Sequence, residues 1–472
     1  MDLNQKKKNS QLTLILLFGL VAVCTGYRGI DASAQPFLGL LFLQSIQFGI
    51  YGAIAFLFHR GKSFPFSWIL LAGIACRAIL WFSEPILEND YWRYLWDGRV
   101  LAHGINPYRF APLDSALDAL TTDYRAQIGW PHYRTIYPPF AEILFALSYF
   151  LAPDSLLGLK VFLTFFDLGT GLILALWLRE SGRNPAWSFL YFLNPLVLKE
   201  IANSAHLDSI PVFFSTLALF LFTRASWQRP NLRRWAWIAL ALATGSKLYA
   251  LVLVPLFAKL DPQWKRGVLL FAAILVFLYL PFLGAGWNLL GGTGAYAKYW
   301  IFNAGIFKVL SVSLNSIISW ISLGSGAESI YPFLPSLEDA LRNDYPAKLV
   351  AGIAFLFLLV QATLKICSLE QLPRFSLIVI GWVLLLSPVV DAWYVLWILP
   401  FAVLEFHLAW LAFSYLVVAA YAWFHSKDQA VYYRSIEYIV FWGLLLYWYW
   451  RARRPVGITT KQQSKNPPTI TE

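Results

Sequence analysis

The sequence predicts an all-α polytopic membrane protein. Three observations carry that reading. Of 472 residues, 58% are hydrophobic and only 13% are charged, where a soluble domain carries about a quarter. Apolar runs recur along the whole chain, many near the ~20 residues that cross a bilayer as helix. Basic residues gather in particular turns between those runs. The net charge of +11 is then topology charge and anionic-lipid contact, not a nucleic-acid surface. Cys24, Cys76 and Cys367 lie in or beside apolar segments and form neither a metal spacing nor a disulfide framework. The 22 tryptophans suit interfacial belts, and also sugar binding.

The N-terminus, MDLNQKKKNSQLTLILLFGLVAV, is basic and then apolar. It lacks a small-residue cleavage site and reads as a retained first helix. Candidate segments follow at about 11–28, 36–58, 66–82, 138–152, 158–178, 186–199, 207–223, 235–258, 267–284, 303–322, 346–366, 374–388, 392–405, 407–423 and 434–450. Several are too short to span alone and read as half-helices or broken pairs buried against protein. About 11–14 transmembrane or re-entrant helices result, in one domain over 1–455, with a disordered cytoplasmic tail at 456–472.

Lys6–Lys8, Arg60 and Lys62, Arg179 and Arg183, the Arg224–Arg234 cluster, Lys259–Arg266, Lys365 and Arg374, and Arg451–Arg454 all fit one cytoplasmic face. That assignment has consequences. Residues 138–152 must leave and return on the outer side or lie along the interface. Residues 235–258 must form a broken pair with its tip near Ser246 and Lys247, and 392–405 poses a similar problem. Re-entrant pieces are tolerated where they line a protein cavity, so a cavity open to the outer side is expected. Two loops face outward, 83–137 and about 285–345, the second with acidic residues near Glu338, Asp339 and Asp344. No internal repeat is apparent.

Four clusters could carry chemistry. In ENDYWRYLWDGR (88–99), Asp90, Arg93 and Asp97 share one helical face. They read either as a solvated interfacial face or as a carboxylate base tuned by arginine and burial. The same loop continues through NPY (106–108) and TIYPPF (135–140), turn formers that offer Asn106, Tyr108, Tyr133 and Tyr137. His103 and His132 there read as structural. In NPLVLKEIANSAHLDSI, Lys199, Glu200, His206 and Asp208 sit between two apolar segments. His206 and Asp208 could converge in a turn, but an HxD pair alone is a weak metal signal. In ATGSKLYALVLVP, Lys247 either snorkels or faces the cavity to meet an anion such as a lipid phosphate. In SPVVDAWYVLWILPF, Asp391 precedes Trp393, Tyr394 and Trp397. It reads as a solvated helix tip or as part of a lipid or acceptor groove.

ENDY, GINPY and TIYPPF in one outer loop, then NPLVLKEIANSAHLDSI, SKLYALVLVP and DAWYVLWILPF, resemble in order the motifs of the catalytic subunit of GPI mannosyltransferase I and its bacterial relatives. These are GT-C fold glycosyltransferases that use polyprenyl-phosphate sugars. The ordered matches run from about 88 to 400. The chain departs from the pattern in having two predicted helices that extend it before the catalytic loop, where the family has one, Glu88 at the first motif acid, and no proline closely after Lys247.

The resemblance implies a GT-C bundle and transfer of a hexose, mannose by the family, from a polyprenyl-phosphate donor to a lipid or glycan hydroxyl, with inversion. It makes Asp90, Glu88 and Arg93 the catalytic group, with Asp90 the general base. Asp97, Asn106, Tyr108, Tyr137, His206, Asp208, Lys247, Asp391 and Trp393 become substrate-binding. No cofactor or obligatory metal is implied, and no nucleotide motif is present. The bacterial inner membrane, or alternatively the endoplasmic reticulum, is the implied location, with the active site on the periplasmic or luminal side. Two alternatives remain. A polymerase or ligase of the same fold would take a preassembled lipid-linked glycan. A transporter would usually show internal repeats.

Overall fold

The computed structural model describes residues 3–30, 34–62, 64–225, 229–324 and 343–453. Within them the chain is a helical bundle, its one extended pairing an isolated bridge between Phe302 and Val389. The expected acidic residues Glu338 and Asp339 and the tail 456–472 lie outside the described residues.

Six described helical stretches are long and apolar enough to cross a membrane, among them 36–59, 156–180 and 345–365, and six shorter apolar helices accompany them. The chain opens with α1 (Leu3–Thr25), α2 (Pro36–His59) and α3 (Phe66–Trp81). A largely buried helix α4 (Asp90–Ala102) and the irregular stretch after it lead to α5 (Pro139–Leu151). The predicted 138–152 piece is thus a helix packed along α4 and not a span. Gly98 makes this packing possible: a Cβ there would lie 2.5 Å from the Phe145 carbonyl oxygen. Arg99 ties the far end of α4 to Asp154 beyond α5, at 2.5 Å.

Next come α6 (Leu156–Glu180), α7 (Ser209–Arg224) and α8 (Pro230–Ser246). Between α6 and α7 the buried segment 185–203 is broken. Asn194 is extended before Pro195 and caps the next turn by accepting from Leu196 N–H. Residues 198–203 then wind as π-helix, a form that recurs at functional sites.

The predicted break in 235–258 falls at Lys247, whose backbone is extended (φ −159°, ψ 131°). Past it the chain returns through a 3₁₀ stretch, Leu248–Leu253, and α9 (Val254–Leu260). The return is antiparallel: Asp261 at its end meets Trp237 Nε1 at 2.8 Å and Arg233 at 3.3 Å, near the start of α8. The 392–405 piece has the same construction, a 3₁₀ turn at Ala392–Trp397 followed by a short helix, Leu399–Leu404. A 3₁₀ helix rises ~2.0 Å per residue against ~1.5 Å for α. The longer rise lets segments this short extend further along the bundle.

The remaining helices are α10 (Trp264–Tyr279), α11 (Gly291–Tyr299), α12 (Ile306–Gly324), α13 (Tyr345–Lys365), α14 (Leu372–Leu386), α15 (Leu399–Leu404), α16 (Leu408–Leu416) and α17 (Lys427–Arg453). The described residues of the second expected loop are therefore largely helical. The basic turns sit at one end of the bundle: Arg224 pairs with Glu180, and Arg183 Nη1 donates to the Leu404 carbonyl at 2.5 Å. Asp208 and Lys247 stand at the opposite ends of α7 and α8.

One feature of the core had no counterpart in the sequence reading. Arg77 on α3 and Asp167 on α6 form a fully buried ion pair at 2.5 Å, and Arg77 Nη1 also donates to the carbonyls of Gly73 and Phe192 at 2.9 and 2.8 Å. Arg77→Leu is expected to destabilise the protein by ~3–5 kcal/mol, because it strands a buried carboxylate. Adding Asp167→Leu should recover most of that loss. Thermal unfolding in detergent checks both.

Candidate active site

At the end opposite the basic turns lies a cavity of about 1100 Å³. Its wall draws on the 83–137 stretch, the Lys247 break, α11 and the 387–397 turn.

Asp90 is the first residue of α4, reached through Asn89, and it lines this cavity half-buried. Burial pushes its carboxyl up to about 6; the nearby Lys247 and Arg93 charges work against that rise and Asp208 adds to it. At neutral pH the group is mainly ionised and has little driving force against giving up or taking a proton, which suits a base.

Arg93 lines the cavity one turn further along α4. Its Nε donates to Asp97 at 2.7 Å and its Nη1 to the Tyr133 carbonyl at 2.9 Å, while its buried Nη2 has no hydrogen-bond partner. The spacing allowed Arg93 either carboxylate; the structure pairs it with Asp97. Asp97 itself is buried off the cavity wall and acts on Arg93.

Lys247 reaches the cavity because the backbone breaks there. Its Nζ donates to both oxygens of Asp208, at 2.8 and 2.9 Å, and lies 4.5 Å from the Tyr394 ring centre. Asp208 is fully buried and also accepts from Trp397 Nε1 at 2.5 Å. Tyr249, two residues past the break, stacks on Trp397 at 4.3 Å with the rings 1° from parallel. The cation is therefore fixed by a carboxylate below and flanked by aromatic rings.

His206 and Asp208 do not converge. The turn between them begins at Ala205, held at φ +58°. Asp208 goes to Lys247, whereas His206 stacks on Trp393 at 4.0 Å, with Nε2 3.4 Å from Glu200 and 3.7 Å from Glu88. Lys199 pairs with Glu200 at 3.2 Å, and Tyr421 donates to Glu200 at 2.9 Å. Among the described residues no three His, Cys, Asp or Glu side chains are placed to share a metal ion.

Glu88, Tyr137, Asp391 and Trp393 also line the cavity. Asp391 is pushed up to about 8, by burial first and by the charge of Asp90 second. Asn106 and Tyr108 do not reach the wall. Asn106 donates to the Phe282 carbonyl at 3.0 Å and accepts from Tyr108 N–H, and the Tyr108 hydroxyl donates to the Tyr137 carbonyl at 2.6 Å. They brace the TIYPPF turn from behind. As expected, His103 is remote: it is exposed and sits against the Arg99 carbonyl.

Two contributors were not singled out from sequence. Tyr296 on α11 meets the Tyr394 hydroxyl at 2.5 Å. This helix can approach because residue 292 is glycine; a Cβ there would lie 2.3 Å from the Thr135 carbonyl oxygen. Tyr421, after α16, closes the wall beside Glu88. The only signal for either was its aromatic type, which this chain uses everywhere.

A family model, the alpha-(1->6)-mannopyranosyltransferase N-terminal domain of the MptA and MptB type, matches residues 39–261, just under half of the chain. No curated protein matches the sequence. Among solved structures, ArnT from Cupriavidus metallidurans bound to undecaprenyl phosphate is similar at 15% identity, over 81% of this chain and 77% of that one, with a TM-score of 0.39. Its apo form gives 15% identity, 80% and 76% coverage, and a TM-score of 0.37. The family match covers the outer loop, the Asn-Pro stretch and the Lys247 break and bears out the glycosyltransferase reading, while the helical bundle with its six described long apolar stretches bears out the all-α membrane fold.

Proposed function

We propose that this membrane glycosyltransferase moves mannose from a polyprenyl-phosphate donor to a lipid or glycan hydroxyl, with inversion at the anomeric carbon. The observation that carries the reading is that two groups of opposite charge line one cavity. A carboxylate, Asp90, is held near the pH at which it can take a proton, and a cation, Lys247, is locked in place by a buried acid.

In this reaction the acceptor oxygen attacks the anomeric carbon. Asp90 takes its proton, and the bond from that carbon to the phosphate oxygen breaks. The electron pair leaves with the polyprenyl phosphate. Charge grows on that leaving oxygen, so fixed cations matter most in the transition state. Lys247 supplies one. Arg93 supplies a second through Nη2, the donor that the protein leaves unmatched. The aromatic rings of Tyr394, Trp397 and Tyr249 form an apolar side for the first isoprene units. The proposal places the cavity on the periplasmic or luminal side, away from the basic turns, and it includes no metal.

The test is transfer by purified protein in lipid, with radiolabelled polyprenyl-phosphate mannose and a mixed lipid and glycan acceptor pool. Labelled product with inverted configuration is expected, at a rate unchanged by EDTA. Absence of transfer, together with failure to bind the donor, would remove the mannose-donor reading. Loss of transfer in EDTA, restored by a divalent ion, would overturn the metal-free mechanism.

A further inference from the structure

We propose that Glu88 and Trp393 form the hexose subsite of the cavity, with His206 as the positioning residue that holds the Trp393 ring. This rests on the cavity being the site of sugar transfer, and it goes further by saying which part of the cavity takes the sugar.

The polar groups around Glu88 divide into satisfied and unsatisfied sets. Lys199, Glu200 and Tyr421 satisfy one another: Lys199 donates to Glu200 and to the Tyr421 hydroxyl, and Tyr421 donates to Glu200. Glu88 is left over. Its side chain is 5% exposed, Oε1 has no hydrogen-bond partner, and its nearest cation is Lys199 at 4.0 Å. Its other oxygen is 3.7 Å from His206 Nε2, beyond hydrogen-bond reach. Burial pushes this carboxyl well above the usual carboxylate range, and a nearly dry carboxyl group with an unmatched oxygen gains from a ligand that hydrogen-bonds to it. Glu88 lines the cavity while Oε1 itself is covered, so a bound ligand meets that oxygen through a small turn of the side chain.

Trp393 lies beside it. His206 is fully buried and stacks on the indole with the planes 16° apart. The indole is half-buried and lines the cavity. The imidazole covers one face, so the cavity meets the rest of the ring. A flat aromatic surface beside a carboxyl group matches a hexose, which has a C–H-rich face and adjacent hydroxyls that both donate and accept. It offers no fixed cation to a phosphate, which Lys247 and Arg93 on the same wall do. The cavity is thereby polarised. Lys247 and Arg93 take the phosphate, and Glu88 and Trp393 take the sugar.

The experiment compares binding of polyprenyl-phosphate mannose and of sugar-free polyprenyl phosphate to the full-length protein in lipid. Glu88→Gln and Trp393→Leu should each weaken the sugar-bearing ligand by about tenfold or more, the usual scale for a lost charge-assisted hydrogen bond or aromatic contact. Binding of the sugar-free ligand should change less than about twofold on that same scale. Trp393→Phe should restore most of the selectivity lost in Trp393→Leu, and His206→Ala should lower it while His206→Phe, which keeps a flat ring against the indole, retains it. If the variants weaken both ligands equally, or neither, the subsite assignment is wrong even though wild-type protein binds and transfers. If wild-type protein binds neither ligand, the sugar-transfer reading fails and takes the subsite with it.

Discussion

Asp90→Asn is expected to lower sugar transfer by about 10²–10⁴-fold, the usual contribution of a positioned general base. Donor binding should be nearly unchanged. The substitution is close to isosteric at a half-buried helix start, so folding should survive it. The pH profile supplies an independent check. With its carboxyl pushed up to about 6, Asp90 is protonated at lower pH and cannot accept the acceptor's proton. Wild-type activity should therefore fall as pH drops through about 6. Asp391, pushed up to about 8, is largely neutral across that range, so Asp391→Asn should leave the acid limb near its wild-type position. A limb that vanished in Asp391→Asn would transfer the base role to that residue. Full activity in a folded Asp90→Asn protein would remove Asp90 from the mechanism.

The legible parts of this protein were those written in short-range chemistry. Apolar run lengths and basic turns give the bundle, and the conflict between them foretold the break at Lys247, because an odd crossing has to be resolved somewhere. The outer-loop motif placed Asp90 and Arg93 on one helix face, where they are found. What was not legible depends on contacts distant in sequence. The Arg93 choice of Asp97 over Asp90 is decided by how α4 packs, since both spacings suit a helix. The parting of His206 from Asp208 follows from a left-handed residue, Ala205, that no glycine announced. Asn106 and Tyr108 looked like ligands because loop Asn and Tyr side chains often are. Their partners are backbone carbonyls as far away as Phe282, so they brace the loop. Tyr296 and Tyr421 come from segments whose sequences carry no motif. Arg77 and Asp167 lie 90 positions apart, and pairing at that separation has no local signature.

Lys247→Met should have two separable effects. The first is catalytic: loss of a fixed donor at the leaving oxygen is expected to cost about 10²–10³ in rate. The second is structural. Asp208 is fully buried, and without Lys247 it keeps the neutral Trp397 indole N–H as a donor but no cation among the described residues. Breaking such a pair from one side typically costs ~3–5 kcal/mol, so Lys247→Met alone could lose activity simply by unfolding. The double variant Lys247→Met/Asp208→Leu resolves the ambiguity, because it removes the stranded charge together with its partner. Its thermal midpoint should return most of the way to wild type while its transfer rate stays low. Asp208→Asn provides the converse. There the cation remains but loses its bidentate anchor, so the turnover rate should fall with little change in donor KM. If the double variant recovered transfer along with stability, Lys247 would be a structural residue, and charge stabilisation at the phosphate would rest on Arg93.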